Sequence, residues 1–319
     1  MLSTPADFSR RALVAGGLAM ASLSPAWPVT GAPPPASSLP PLGLGSCCDD
    51  YDQSYDMVLG GLRTGFRLID TAAHYESEAA VGAALVEARR RGLLTDDDQA
   101  RTVTKIWFDD MGYESALASA KRSMKQLQTE QLDVLLIHFP GSIDAVQSPS
   151  RNRKLRADTW RACEALLKDG MVRKVGVSNW NARHLRETLA SCVTPPQVLQ
   201  TELHPRLPQV ELVDFARESG VETIMAHCPL AHGSPALLRS PTLVRLAEAR
   251  GDGTTPAMLC LRWSLDRGLL PVPKASSAAR LAENWRALRM PPLSASERAA
   301  VDSLEAEDGR VSFDPKLIA

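Results

Sequence analysis

A closed parallel β/α barrel is the fold class this α/β sequence predicts, and three observations carry it. From residue 41 onward, short β-branched runs alternate with longer helical patterns. Several of those runs are almost wholly apolar, as strands are when both faces of a parallel sheet are buried. The polar residues that do occur in them gather at their C-terminal ends, the face on which such barrels carry their chemistry.

Eight runs read as strands: residues 42–45, 66–70, 102–106, 132–138, 172–177, 198–203, 222–226 and 269–273. Helical patterns fill the gaps at 54–63, 78–90, 114–127, 157–168, 182–190, 209–219, 241–249, 256–267, 278–287 and 294–304. Residues 78–90 place Val81, Leu85 and Ala88 on one face. Residues 157–168 gather Trp160, Cys163 and Leu166, and Gly170 supplies the stop. Eight strands, each followed by a helix, count to a TIM (β/α)8 barrel rather than an open doubly wound sheet. The segment after residue 138, with the polar string 148–154, reads as a mobile loop that brings Arg151 and Arg153 to the pocket mouth.

The first forty residues stand apart. Arg10 and Arg11 precede an apolar run from Ala12 to Ala21, and a Pro-rich stretch reaches Pro41. A basic start, a short apolar core and small residues beyond it form a targeting pattern, and Arg10-Arg11 also fits a twin-arginine export signal. The segment 1–40 is therefore read as a targeting or linker extension outside the fold, and 41–319 as the barrel. Organelle targeting or export follows if the extension is processed, and a cytoplasmic location if it is not.

Charge narrows the partners. The 36 Lys and Arg residues nearly cancel 37 Asp and Glu, giving a formal net charge of −1. An electrostatic nucleic-acid binder normally shows a basic stripe, so that class is set aside. No stretch of about 18 apolar residues marks a membrane-spanning helix. The six cysteines show no Cys-x-x-Cys or Cys/His zinc spacing and read as free thiols; adjacent Cys47 and Cys48 rarely meet disulfide geometry without strain. The six histidines show no paired ligand spacing either, which sets aside a metal-dependent hydrolase.

The strand ends hold the informative residues. The second strand ends at Asp70, with Tyr75 shortly after; the third carries Lys105 and the fourth ends in His138. Taken singly, Asp70 would cap a turn, Lys105 would snorkel and His138 would be a satisfied core histidine. Together on three successive strand ends they make a chemical set. A lysine in an apolar strand needs a counter-charge, which Asp70 supplies. A phenol ordinarily titrates near 10, and an adjacent ammonium lowers that value toward neutral pH. Tyr75 is thus expected to act as general acid toward a carbonyl oxygen, with Lys105 lowering its pKa, Asp70 holding Lys105 and His138 orienting the carbonyl. None of these groups can donate hydride, so a nicotinamide cofactor is implied, although no Gly-x-Gly-x-x-Gly fingerprint is present.

These strings resemble the aldo-keto reductases across nearly all of 41–319. The resemblance rests on Gly65-Phe66-Arg67, Asp70-Thr71-Ala72, Tyr75, Thr104-Lys105, Ile137-His138-Phe139-Pro140, Val177-Ser178-Asn179, Gln200-Thr201-Glu202-Leu203-His204-Pro205 and Pro273-Lys274. It implies a catalytic tetrad of Asp70, Tyr75, Lys105 and His138, with NADPH/NADP+ as cofactor and a small-molecule carbonyl as substrate. Ser178, Asn179 and Gln200 would hold the nicotinamide carboxamide, Lys274 and Arg280 the 2′-phosphate, and Glu283 and Asn284 the adenine. Several positions depart from the family pattern. His227 stands where a tyrosine usually stacks on nicotinamide, Cys47 where a tryptophan usually walls the pocket, and Ala275 where a serine often meets the phosphate. Cys47, Trp107 and Phe139 are the expected substrate-pocket residues. A monomer is the expectation by resemblance.

Two other readings compete. A non-catalytic NADPH-binding barrel would serve as redox sensor or scaffold. A barrel aldolase would use Lys105 as a Schiff-base nucleophile, but a protonated, Asp-paired lysine suits that role badly, and Lys274 and Arg280 would go unexplained.

Overall fold

The computed structural model describes residues 39–47, 50–142 and 148–319. The expected targeting segment lies outside the described residues, except for its last two positions, and so does Cys48. Eight parallel strands follow one another in chain order: β1 (Leu44–Gly45), β2 (Leu68–Asp70), β3 (Arg101–Ile106), β4 (Leu132–Ile137), β5 (Val172–Ser178), β6 (Val198–Glu202), β7 (Thr223–His227) and β8 (Leu270–Pro271). Gly43 and Gly45 donate their backbone N–H groups to Pro271 O and Pro273 O at 3.0 and 3.1 Å, and Gly45 bridges Lys274 in parallel. Those contacts join the first strand to the last and give the (β/α)8 barrel.

The helices are α1 (Tyr51–Thr64), α2 (Glu78–Arg90), α3 (Tyr113–Leu127), α4 (Pro149–Lys168), α5 (Ala182–Leu189), α6 (Val210–Glu218), α7 (Pro235–Leu238), α8 (Pro241–Arg250), α9 (Pro256–Asp266), α10 (Ala278–Arg286) and α11 (Ala295–Asp302). Local sequence sets their ends. Asp50 accepts from the Gln53 N–H at 2.8 Å to start α1, and Gly65 stops it at φ 122°, a backbone conformation that suits glycine. Proline opens α4, α7, α8 and α9, where its missing N–H would have had no helical partner.

One expectation is corrected. The polar string 148–154 is the first turns of α4, not a loop, because Pro149 fixes the helical φ and Asn152 and Arg156 turn inward to bond the loop after β4. Arg151 and Arg153 project outward. Neither lines the main cavity, and Arg153 lies 3.9 Å from Glu187 instead.

Two layers of core follow from the period of two along each strand. Outward residues such as Ile69, Leu135, Val175 and Leu199 pack under the helices. Inward residues Leu68, Val103, Val134, Leu136, Val198, Met225, Leu270 and Val272 fill the barrel. The next inward position along each strand is polar: Asp70 after Leu68, Lys105 after Val103, His138 after Leu136. Gln200 follows Val198, His227 follows Met225, and Lys274 follows Val272. The fold thus plugs the barrel with hydrocarbon and places a ring of functional groups on its C-terminal rim.

Candidate active site

Lys105 is the centre of the rim. Its side chain is wholly buried, and Nζ donates to Asp70 Oδ2 and Thr71 O, both at 2.8 Å. Its third direction faces the Tyr75 hydroxyl at 3.5 Å. Burial opposes its charge, but Asp70 and Tyr75 outweigh that and hold the ammonium above its ordinary value. Tyr75 arrives from the turn after β2, and its hydroxyl also lies 3.4 Å from His138 Nε2. The structure thus brings the four expected residues into one cluster.

One electrostatic expectation is corrected. Burial raises the Tyr75 phenol above 10, and the pull of Lys105 offsets this only in part. The phenol stays protonated, as a proton donor must be before reaction. His138 is neutral, because burial and the nearby Lys105 press its pKa well down. Its Nδ1 is buried with no hydrogen-bond partner among the described residues. A bare lone pair there costs less than an orphaned N–H, so the proton belongs on Nε2, facing Tyr75.

A cavity of about 730 Å³ runs from these residues along the rim. At its inner end stand Ser178, Asn179, Gln200 and His227, and at its outer end Lys274, Ser276, Arg280, Glu283 and Asn284. Gln200 Nε2 donates to Asp70 Oδ1 at 2.7 Å. Asn179, held at φ 62°, donates through Nδ2 to His138 O at 3.0 Å and to Ser178 Oγ at 3.3 Å. His227 Nε2 lies 2.9 Å from Asn179 Oδ1, so this imidazole steadies an amide as well as offering a ring face. Burial, aided by Lys105, presses its pKa to about 3 against the attraction of Glu202, and the ring is neutral.

At the outer end Arg280 reaches Ser276 Oγ at 3.1 Å. Ser277 caps α10 by accepting from the Arg280 N–H at 3.3 Å. Ser276 has no signal of its own in the sequence, where the buried Ala275 beside it holds the position expected to meet the phosphate. Two cations, a hydroxyl and a helix start form a mouth suited to a phosphate. Gly45 lies against this cleft, where an added Cβ would sit 3.2 Å from Val272 O.

Of the expected substrate-pocket residues, Cys47 and Phe139 line the cavity and Trp107 does not. Trp107 stands behind it, 5.0 Å from the His138 ring centre and stacked on His74 at 3.7 Å. Cys47 is disulfide-bonded, which corrects its reading as a free thiol; Cys163, Cys192, Cys228 and Cys260 are free. Phe313, Ser312, Cys228 and His232 also line the cavity. Of these, Cys228 adjoins the expected His227, and Ser312 and Phe313 lie together in the C-terminal tail. Among the described residues no group of three or more His, Cys, Asp or Glu is placed to hold a metal ion. No helix among them is long and apolar enough to cross a membrane.

Known proteins resemble this chain in sequence and fold. Residues 42–306 match the Aldo/keto reductase family. The chain is 35% identical over 281 residues to a glyoxal reductase of Bacillus subtilis, covering 87% of this chain and 92% of that protein. It is 33% identical over 279 residues to a 9,11-endoperoxide prostaglandin H2 reductase of Trypanosoma cruzi, covering 87% and 91%. Among solved structures, a Gox0644 variant in complex with NADPH superimposes with a TM-score of 0.77 at 30% identity, covering 87% of this chain and 94% of that one. A Bombyx mori aldo-keto reductase in complex with NADP gives 0.73 at 28% identity, covering 84% and 89%.

Proposed function

The chain belongs to the aldo/keto reductase family, whose members reduce carbonyl groups, and we propose that it reduces an aldehyde or ketone to the alcohol with Tyr75 as general acid. The cofactor is NADPH/NADP+. The observation that carries the proposal is the Tyr75 hydroxyl set between Lys105 Nζ at 3.5 Å and His138 Nε2 at 3.4 Å.

Bound NADPH supplies the hydride. The residues of this chain govern the proton and the geometry. Neutral His138 presents Nε2–H to the carbonyl oxygen and fixes where it sits. As negative charge grows on that oxygen, protonated Tyr75 donates its phenolic proton. The phenolate left behind is stabilised by the Lys105 ammonium, which Asp70 and Thr71 O keep charged and pointed. Ser178, Asn179 and Gln200 would grip the nicotinamide amide beside this oxygen. Lys274, Arg280 and Ser276 would take the 2′-phosphate, and Glu283 and Asn284 the adenine. The ring of His227 would lie against the nicotinamide over less area than a phenol offers.

The test is NADPH oxidation over a panel of aldehydes by the wild type and by Tyr75→Phe. Turnover should fall by about 10²- to 10⁴-fold in the variant, the usual contribution of a positioned acid, with NADPH affinity retained. Tight NADPH binding without turnover by either protein would instead favour a sensor or scaffold role.

A further inference from the structure

Glu202 ends β6 with no accessible surface. A carboxylate there is costly unless hydrogen bonds replace water. It accepts from His204 Nε2 at 3.1 Å, from the Val311 N–H at 2.7 Å and from the Ser312 N–H at 3.0 Å. The Ser312 hydroxyl also donates to it, and Arg310 approaches at 3.3 Å. Burial alone would raise this carboxyl, but the bonds from His204, Ser312 and Val311 hold it low, at about 2. Four of the five donors come from three consecutive tail residues more than a hundred positions downstream. The charge on β6 is therefore satisfied only when residues 310–312 lie across the rim in one conformation.

The next tail residue is Phe313. Its ring meets Phe139 edge-to-face at 5.3 Å, and both line the cavity. Phe139 in turn lies parallel to His138, with centroids 4.9 Å apart at 17°. The aromatic wall thus begins at the carbonyl-orienting histidine and ends on a residue whose position Glu202 dictates. Gln200, two residues earlier on the same strand, faces the same interior. One strand therefore sets both the inner cleft and the outer wall.

We propose that Glu202 is a specificity-determining positioning residue. By clamping residues 310–312 it holds Phe313 opposite Phe139, and so selects carbonyls bearing a flat apolar group, aryl aldehydes above all, over short aliphatic ones. The inference rests on the reductase reading.

The experiment measures kcat and KM for benzaldehyde and propanal, and NADPH affinity, in the wild type, Glu202→Gln, Phe313→Ala and the double variant. Glu202→Gln should lose about five- to tenfold in kcat/KM for benzaldehyde, chiefly through KM, a loss on the scale of one aromatic pair. Propanal turnover and NADPH affinity should hold, and the double variant should be no worse than Phe313→Ala. Equal losses for both aldehydes, additive losses or weakened NADPH binding would overturn the inference while leaving the reductase reading standing. A wild type that turns over neither aldehyde nor any other carbonyl overturns both. Should Glu202→Gln not fold, Ser312→Ala removes a single donor to the carboxylate and must shift the benzaldehyde-to-propanal ratio the same way; an unchanged ratio overturns the inference.

Discussion

Gln200 Nε2 donates to Asp70 Oδ1 at 2.7 Å while Asp70 Oδ2 holds the Lys105 ammonium at 2.8 Å. One carboxylate therefore couples the proton-delivery cluster on β2 and β3 to the cofactor end of the cleft on β6. Disturbing Asp70 should register at both places.

Asp70→Asn leaves the Lys105 charge buried without its counter-ion. Breaking such a pair from one side costs about 3–5 kcal/mol. In the wild type Lys105 is raised, so its stabilising contribution is present below its ordinary value and is lost only as pH rises through the raised one. In the variant only Tyr75 and Thr71 O are left to oppose burial, so the lysine should fall below its ordinary value; the unfolded chain then binds the extra proton and stability rises with pH. Urea unfolding at pH 7 and pH 9 should show a weaker variant that gains stability at the higher pH, where the wild type shows no such gain.

Arg280→Met removes the guanidinium from the phosphate mouth and frees Ser276 from it. Charge-assisted bonds of this type contribute about 1.5–3 kcal/mol, so the Kd for NADPH should rise about ten- to a hundredfold. NADH lacks the phosphate and should bind as before. Fluorescence titration with both dinucleotides checks the pair, and equal weakening of the two would count against the assignment.

His227 gives a pH prediction. Its pKa falls from 6.5 to about 3 in the folded protein, mainly through burial. The unfolded chain then binds the extra proton between those values. Stability should therefore decline as pH drops through that window, by up to about 1.4 kcal/mol per pH unit from this group. His227→Tyr should flatten the slope, while His184, itself held to about 4, keeps part of it. Denaturant midpoints at several pH values between 6.5 and 4 would show whether the slopes differ.

The eight strands and the four-residue cluster were legible because apolar β-branched runs alternating with helical patterns, and the residue types at strand ends, need no tertiary information. Asp70, Tyr75, Lys105 and His138 lie on the three consecutive βα units that follow the first, so their neighbourhood follows from topology. The start of α4 was not legible. Asn152 and Arg156 look like solvated loop residues until the loop after β4 turns out to supply their partners. Glu202 stayed hidden within its string for a similar reason: the donors that explain it lie in the tail. The direction of the Tyr75 pKa was missed because residue types report the neighbouring charge, and only the packed site reports how much water is lost.

Gly45 bridges Lys274 where the first strand meets the stretch just after the last, and Lys274 lines the outer cleft. The nucleotide would span a joint whose two sides, Gly45 and Lys274, lie at opposite ends of the barrel sequence and are held together by few backbone bonds. Ligand binding should thus act as a rivet on that joint, slowing protease attack and amide exchange at residues 43–45 and 271–274 more than at the opposite staves.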